Sequence, residues 1–393
     1  MKVTVEDSNI FLQKASLLAQ EFAKDAVERD KAGGTPKIQR DKLRESGLLK
    51  LLIPEQYGGD GQPWSTVLRI VREFAKVDAS LGHLFGYHFL CLARVYLKGS
   101  LEQREYFFTE TAKNNWFWGN STNPLQRTCI GKRDGDRVIV NGKKSFSSGS
   151  PDADLLLISW VDENSDEYFN GVIPPSRNGV IVHDDWDSIG QRQTGSGTVS
   201  FQKVIVEQHE ILGNSNLAHS VFSTINPILS QSILANIFVG SAEGAIAEAK
   251  EYTTKFSRPW LASGVEKASQ DPSTLRQYGE FWVEIESAVS LVEKAADKVD
   301  QVWEKEYNLS EEERGECAVL VAAANVLGGK VGLDISNRIF EVMGARSTAS
   351  KYGFDRFWRN IRTHTLHNPV EYKLRNIGNW VLNNEFPKPG FYS

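Results

Sequence analysis

Three short clusters hold the side chains that could do chemistry. Residues 352–369 (YGFDRFWRNIRTHTLHNP) carry two histidines, His364 and His367, three arginines, Arg356, Arg359 and Arg362, and several aromatics. Residues 82–88 (GHLFGYH) carry His83 and Tyr87, and residues 145–149 (SFSSG) carry Phe146 and Ser148. Imidazole exchanges a proton near neutral pH, and hydroxyls both donate and accept hydrogen bonds. Taken singly, each cluster could be a solvated helix end or a satisfied core pair. Three such polar and aromatic knots, far apart in sequence, predict one pocket assembled from three regions.

Composition bounds what that pocket can serve. The chain has 393 residues, 40% of them hydrophobic, and a formal net charge of -5. That is enough for a sizeable core and two or three domains, and it gives no support to nucleic-acid binding. Cys91, Cys129 and Cys317 are widely spaced. They form neither a metal-ligand pattern nor a disulfide framework, which fits a reducing compartment and no metal. The polar start, MKVTVEDSNIFLQ, does not read as a signal peptide, and no stretch reads as a membrane span. A soluble cytoplasmic protein is expected.

The elements that must position the clusters follow from periodicity. Residues 8–30, 40–49 and 64–76 have helical spacing, and Asp78 can cap a long helix over 79–98 that Gly99 stops. On that helix His83 and Tyr87 share a face. Ser100–Gln103 reads as a capping box. From 116 the period shortens. Asp134-Gly135 and Asn141-Gly142 are hairpin-type dipeptides around Val138, Ile139 and Val140. Further strands are expected over 154–161, 169–173, 179–182 and 198–206. Beyond Gly213 helices are expected over 223–255, from Asp271-Pro272 to about Tyr307, from Ser310 to about Met343, and over 369–383. The reading is an α+β chain: an N-terminal helical domain (1–115), a middle β domain (116–213) and a C-terminal helical bundle domain (214–393). Long amphipathic helices pack in bundles, so a homo-oligomer is expected.

That order, helices then β domain then four-helix bundle, resembles the acyl-CoA dehydrogenase superfamily. Strings along nearly the whole chain are similar to its flavin-dependent monooxygenase branch, the dibenzothiophene monooxygenases of sulfur removal. They are AVERDKAGG (26–34), SGLLKLLIPEQYGG (46–59), DASLGHLFGYH (78–88), NNWFWGN (114–120), DDWDSIGQRQTGSG (184–197) and the 352–369 stretch. Many dehydrogenases of the superfamily carry a catalytic glutamate whose place here falls at or near Asn368, and an amide is no general base.

The resemblance implies a two-component enzyme. A separate NADH:FMN reductase supplies reduced FMN, O2 is trapped at flavin C4a as a hydroperoxide, and the sulfur of a thiophene-type or related compound is oxygenated. The alternatives are an FAD-dependent acyl-CoA dehydrogenase and a monooxygenase acting on nitrogen or carbon. By the same resemblance His367 lies near the reactive edge of the flavin, with Asn368 beside it. His83, Tyr87, Asn120 and Ser148 supply polar groups to flavin and substrate. Trp186, with Phe146 and Trp118, walls a flat apolar substrate. Arg258, with Arg346 second, anchors the flavin phosphate across a subunit boundary. Residues 121–132 form a lid, and the oligomer is a tetramer. No nucleic-acid or membrane partner is expected.

Overall fold

The computed structural model describes residues 5–165, 167–213, 216–391 and 393. The N-terminal part is helical: α1 (Val5–Phe22), α2 (Ala26–Ala32), α3 (Lys37–Ser46), α4 (Trp64–Ala75), α5 (Ala79–Lys98) and α6 (Leu101–Asn114). Helix α5 begins and ends where its capping residues dictate. The Asp78 carboxylate accepts from the N–H groups of Ser80 (2.9 Å) and Leu81 (3.2 Å), and its other oxygen pairs with Arg29 at 2.7 Å. Ser100 and Gln103 form the reciprocal box that opens α6. The buried face of α4, Val67, Leu68, Val71 and Phe74, joins the main core.

Eight strands among the described residues make one sheet: β1 (Trp118–Ser121), β2 (Ile130–Asp134), β3 (Arg137–Lys144), β4 (Leu155–Asp162), β5 (Tyr168–Ile173), β6 (Val180–Val182), β7 (Val199–Val206) and β8 (Ile211–Leu212). Their order is β6-β7-β3-β2-β4-β5-β8, with β1 parallel to β4. Asp134-Gly135 makes the β2–β3 hairpin, with Asp134 opposite Arg137. Asn141-Gly142 does not turn the chain. It lies inside β3, where the register against β7 shifts and Gly142 takes φ +130°. The dipeptide that suits a tight turn also suits a bulge, because both need positive φ.

The C-terminal part holds α7 (Asn226–Lys255), α8 (Pro272–Lys305), α9 (Glu311–Met343), α10 (Asp355–Thr365) and α11 (Val370–Asn383). Helices α7 and α9 run parallel: Arg314 meets Thr224 at one end and Thr253 meets Val342 at the other. Helix α8 runs back alongside them in the opposite direction, with Thr253 against Tyr278 and Lys298 against Glu316. Glycines let α7 press on the N-terminal helices. A Cβ at Gly240 would lie 2.3 Å from the carbonyl oxygen of Arg72, and one at Gly86 would lie 2.5 Å from Ile233. This close approach brings the face of α5 that bears Tyr87 against α7. Helix α9 is long and apolar enough to cross a membrane by composition, contrary to the sequence reading. Its apolar residues, Val321, Ile335 and Ile339 among them, are buried in the bundle, so their hydrophobicity is spent on packing.

Candidate active site

Helix α5 presents His83 and Tyr87 one turn apart, their rings stacked at 3.9 Å. His83 Nε2 lies 2.9 Å from Ser148 Oγ, and Ser148 Oγ lies 2.8 Å from Ser196 Oγ. Ser196 in turn lies 2.6 Å from Thr194 Oγ1. Tyr87 Oη is 3.3 Å from Ser230 Oγ on α7. From α10, the ring of His364 packs 4.6 Å from that of His83. The Asn120 N–H donates to the Ser148 carbonyl at 3.0 Å, and the Asn120 Oδ1 accepts from Thr122, which leaves its NH2 for a ligand. The three sequence clusters therefore meet.

What joins them is the segment 184–197. The Gln191 N–H donates to Asn360 Oδ1 at 2.6 Å, and Arg359 donates to the Ile189 carbonyl at 2.6 Å, so the segment is fastened to α10. At its other end the Ser147 and Gly149 N–H groups donate to the carbonyls of Gly197 (3.0 Å) and Thr194 (2.9 Å). Trp186, held by its Nε1–H on the Gln191 carbonyl at 2.8 Å, meets the ring of Phe146 edge-on at 6.0 Å. Phe146 is 61% exposed and has φ +57°. A bulky residue held there is strained, and its ring faces outward rather than into the core.

The histidines are neutral at pH 7. Burial pushes His83 down to about 3, with a smaller push from His367. Burial also holds His364 well below the ordinary imidazole range, helped by His83 and His367. His367 is lowered to about 4, by burial first and then by the Lys373 ammonium, yet the residue is exposed. Its ring stands close enough to His83 and His364 to disfavour protonation of either. No carboxylate acts on any of the three rings. The Nδ1 atoms of His83 and His364 are buried without a hydrogen-bond partner. Two such orphaned atoms side by side are costly unless a ligand meets them. Among the described residues no group of His, Cys, Asp or Glu could hold a metal ion.

Other expected residues lie elsewhere. Trp118 is 1% exposed, packs on Phe107, and donates its Nε1–H to Thr111 at 3.0 Å; it is core rather than a substrate wall. The Asn368 side chain is held by Lys373, not turned toward His83. Arg258 and Arg346 are exposed at the far end of the bundle, just beyond α7 and α9, where Ser257 Oγ donates to the Met343 carbonyl at 2.9 Å. Of the expected lid, 130–132 belong to β2. Buried Lys144 ties the rest down, donating to the carbonyls of Asn123 (2.9 Å) and Gln126 (2.5 Å). His364, placed in the first cluster without a role of its own, packs on His83, while Ser196, Thr194 and Ser230 escaped sequence reasoning because a lone hydroxyl carries no signal.

Family models for the N-terminal, middle and C-terminal domains of acyl-CoA dehydrogenase match residues 6–115, 119–204 and 232–372. A probable FMNH2-dependent monooxygenase of Pseudomonas putida is 47% identical, over 96% of this chain and 95% of that protein. The methanesulfinate monooxygenase structure from Pseudomonas fluorescens is 48% identical with TM-score 0.95, covering 97% of this chain and 99% of that one. A dibenzothiophene monooxygenase from Paenibacillus sp. A11-2, in complex with FMN and indole, is 42% identical with TM-score 0.94, covering 98% and 100%. All three are monooxygenases by name, two of them tied to FMN or FMNH2, and each matches nearly the whole of this chain. The chain thus belongs to the acyl-CoA dehydrogenase family, in the flavin-dependent monooxygenase branch that includes the dibenzothiophene monooxygenases.

Proposed function

We propose that the chain is the oxygenase half of a two-component system. A separate NADH-dependent reductase supplies reduced FMN, and the sulfur of an organosulfur compound, thiophene-type in the first reading, is oxygenated. One observation carries the choice of oxygenation over acyl-CoA dehydrogenation. The pocket is built on buried neutral imidazoles with two unpaired ring nitrogens, and no carboxylate acts on them. By resemblance the place of the dehydrogenase glutamate falls at or near Asn368, an amide already engaged by Lys373. Removing a proton alpha to a thioester needs a base, which an amide is not.

The residues fit a flavin ring. Phe146 and Trp186 offer apolar faces at one edge, while Ser148, Asn120 and the histidines offer donors at the other. Reduced FMN, when bound, supplies the two electrons that leave one oxygen atom of O2 on sulfur and the other in water. His367 and His83, neutral, each donate one N–H and accept at the other nitrogen, so they could hold and return a proton at the reacting oxygen. Tyr87 orients the substrate heteroatom through its hydroxyl, steadied by Ser230. The buried wall around His83 and His364 excludes water from the reacting atoms.

The phosphate anchor supports an oligomer. From Ser230, beside Tyr87, to Lys255 helix α7 rises about 37 Å, and Arg258 lies beyond it. No flavin mononucleotide spans that length, so Arg258 and Arg346 serve the pocket of a second copy. Exposed apolar residues suit such packing: Leu275, Trp282 and Val283 on α8, Leu374, Val381 and Leu382 on α11, and Trp260 and Leu261 after α7. A tetramer offers enough interfaces to cover all three groups.

The test is a coupled assay with a flavin reductase, NADH, FMN and air. The panel holds dibenzothiophene, smaller thiophenes, indole and methanesulfinate, read by product mass. The 48% identity to a methanesulfinate monooxygenase favours the last as the second reading. Oxygenated product from a sulfur compound, with colourless purified protein, is expected. A yellow FAD protein that reduces a dye with acyl-CoA and oxygenates nothing would overturn the proposal.

A further inference from the structure

Lys373 breaks three rules of placement at once. It is 6% exposed and lies in the first turn of α11, where the helix dipole is positive. Burial alone acts on it and pulls it down to about 8; no carboxylate offsets its charge. Buried lysines are ordinarily paired, and a leucine would pack at this place without any of these costs. Its ammonium donates to Asn368 Oδ1. Asn368 adjoins His367, whose own N–H donates to the His364 carbonyl at 3.0 Å. On its other side Lys373 lines a cavity of about 30 Å³ with Gln231 of α7, whose side-chain nitrogen and oxygen are both buried and unpartnered. The ammonium thus lies between the histidine loop and a small, mostly apolar void, and burial alone acts on it.

We propose that Lys373 is a positioning residue of the oxygenation site: it clamps the 366–369 loop through Asn368 and holds a buried positive charge beside His367. The inference rests on the functional reading above, in which His367 must be neutral to serve the reacting oxygen. The titratable groups that act on the imidazole cluster come from three helices: α5 gives His83, α10 gives His364, and α11 gives Lys373. Of these Lys373 carries the charge, and removing it would let His367 take up a proton more readily.

The test compares the parent with Lys373→Gln, which keeps a donor for Asn368 without the charge, and Lys373→Arg, which keeps the charge. Histidine labelled with 13C in the apo protein is titrated, with His367→Gln assigning the resonance. Expected is an upward shift of the His367 midpoint by about one unit in Lys373→Gln and little change in Lys373→Arg. The acid limb of coupling, product formed per NADH consumed, moves up by the same amount in Lys373→Gln only. If Lys373→Gln does not fold, Lys373→Met makes the same comparison. An unmoved midpoint in an enzyme that still oxygenates refutes the role of Lys373 and leaves the function standing. A moved midpoint in a protein that oxygenates no member of the panel refutes the function instead.

Discussion

If the phosphate anchor comes from another copy, two inactive variants must rescue each other. Arg258→Ala keeps the histidine pocket and lacks the anchor; His83→Phe keeps the anchor and lacks the pocket. The rise of about 37 Å along α7 from Ser230 to Lys255 separates the two features on one chain, so neither variant can build a complete site with copies of itself. Mixed one to one and reassembled at random, a given site draws its pocket from Arg258→Ala with probability one half. It draws its anchor from His83→Phe with the same probability. About one quarter of sites are then complete, and about one quarter of parent oxygenation should return. The assay is denaturation and refolding of each variant alone and of the mixture, followed by product formation with the best panel substrate. Activity of the mixture equal to the mean of the two variants would show that pocket and anchor belong to one chain, and the geometric argument would fail.

Other outcomes follow from single contacts. His88 Nε2–H donates to the Leu49 carbonyl (2.7 Å) and its Nδ1 accepts from the Trp118 N–H (3.2 Å), so it must stay neutral; His88 and His83 both fall to about 3. The folded protein refuses protons that the unfolded chain accepts below about 6.5. Their contribution is therefore full above that pH and declines by about 1.4 kcal/mol per unit for each ring. Urea unfolding should show the pair losing about 4 kcal/mol between pH 6.5 and 5; a flat profile contradicts it. Asp78→Ala removes the α5 cap and strands part of the Arg29 charge, so it should cost about 3 kcal/mol in the same measurement. Phe146→Ala, at an exposed ring, should raise KM several-fold for aromatic substrates with unfolding midpoint unchanged. Trp118→Phe should do the reverse, costing about 1–3 kcal/mol through the lost Thr111 bond while leaving KM alone.

Helix α5 shows what was legible in the chain alone. Asp78, Gly99 and the apolar spacing between them fix its limits, and the four-residue step from His83 to Tyr87 puts both on one face. Local rules of this kind reach a few residues along the chain, so they also set the Ser310 box, the Asp271 cap and the β2–β3 hairpin. They could not tell that Asn141-Gly142 is a bulge, since turn and bulge ask the same φ of glycine. Nor could they distinguish the core indole of Trp118 from the half-buried indole of Trp186 beside Phe146, because both are equally apolar. The partners of the site residues, Ser196 for Ser148, Ser230 for Tyr87 and His364 for His83, were set by tertiary packing alone. Each pair joins segments many residues apart, and serine or histidine has no pattern that announces which distant hydroxyl or ring will face it. Local chemistry wrote the elements and offered the reactive groups; only the press of α7 and α10 on α5 decided which of those groups would meet.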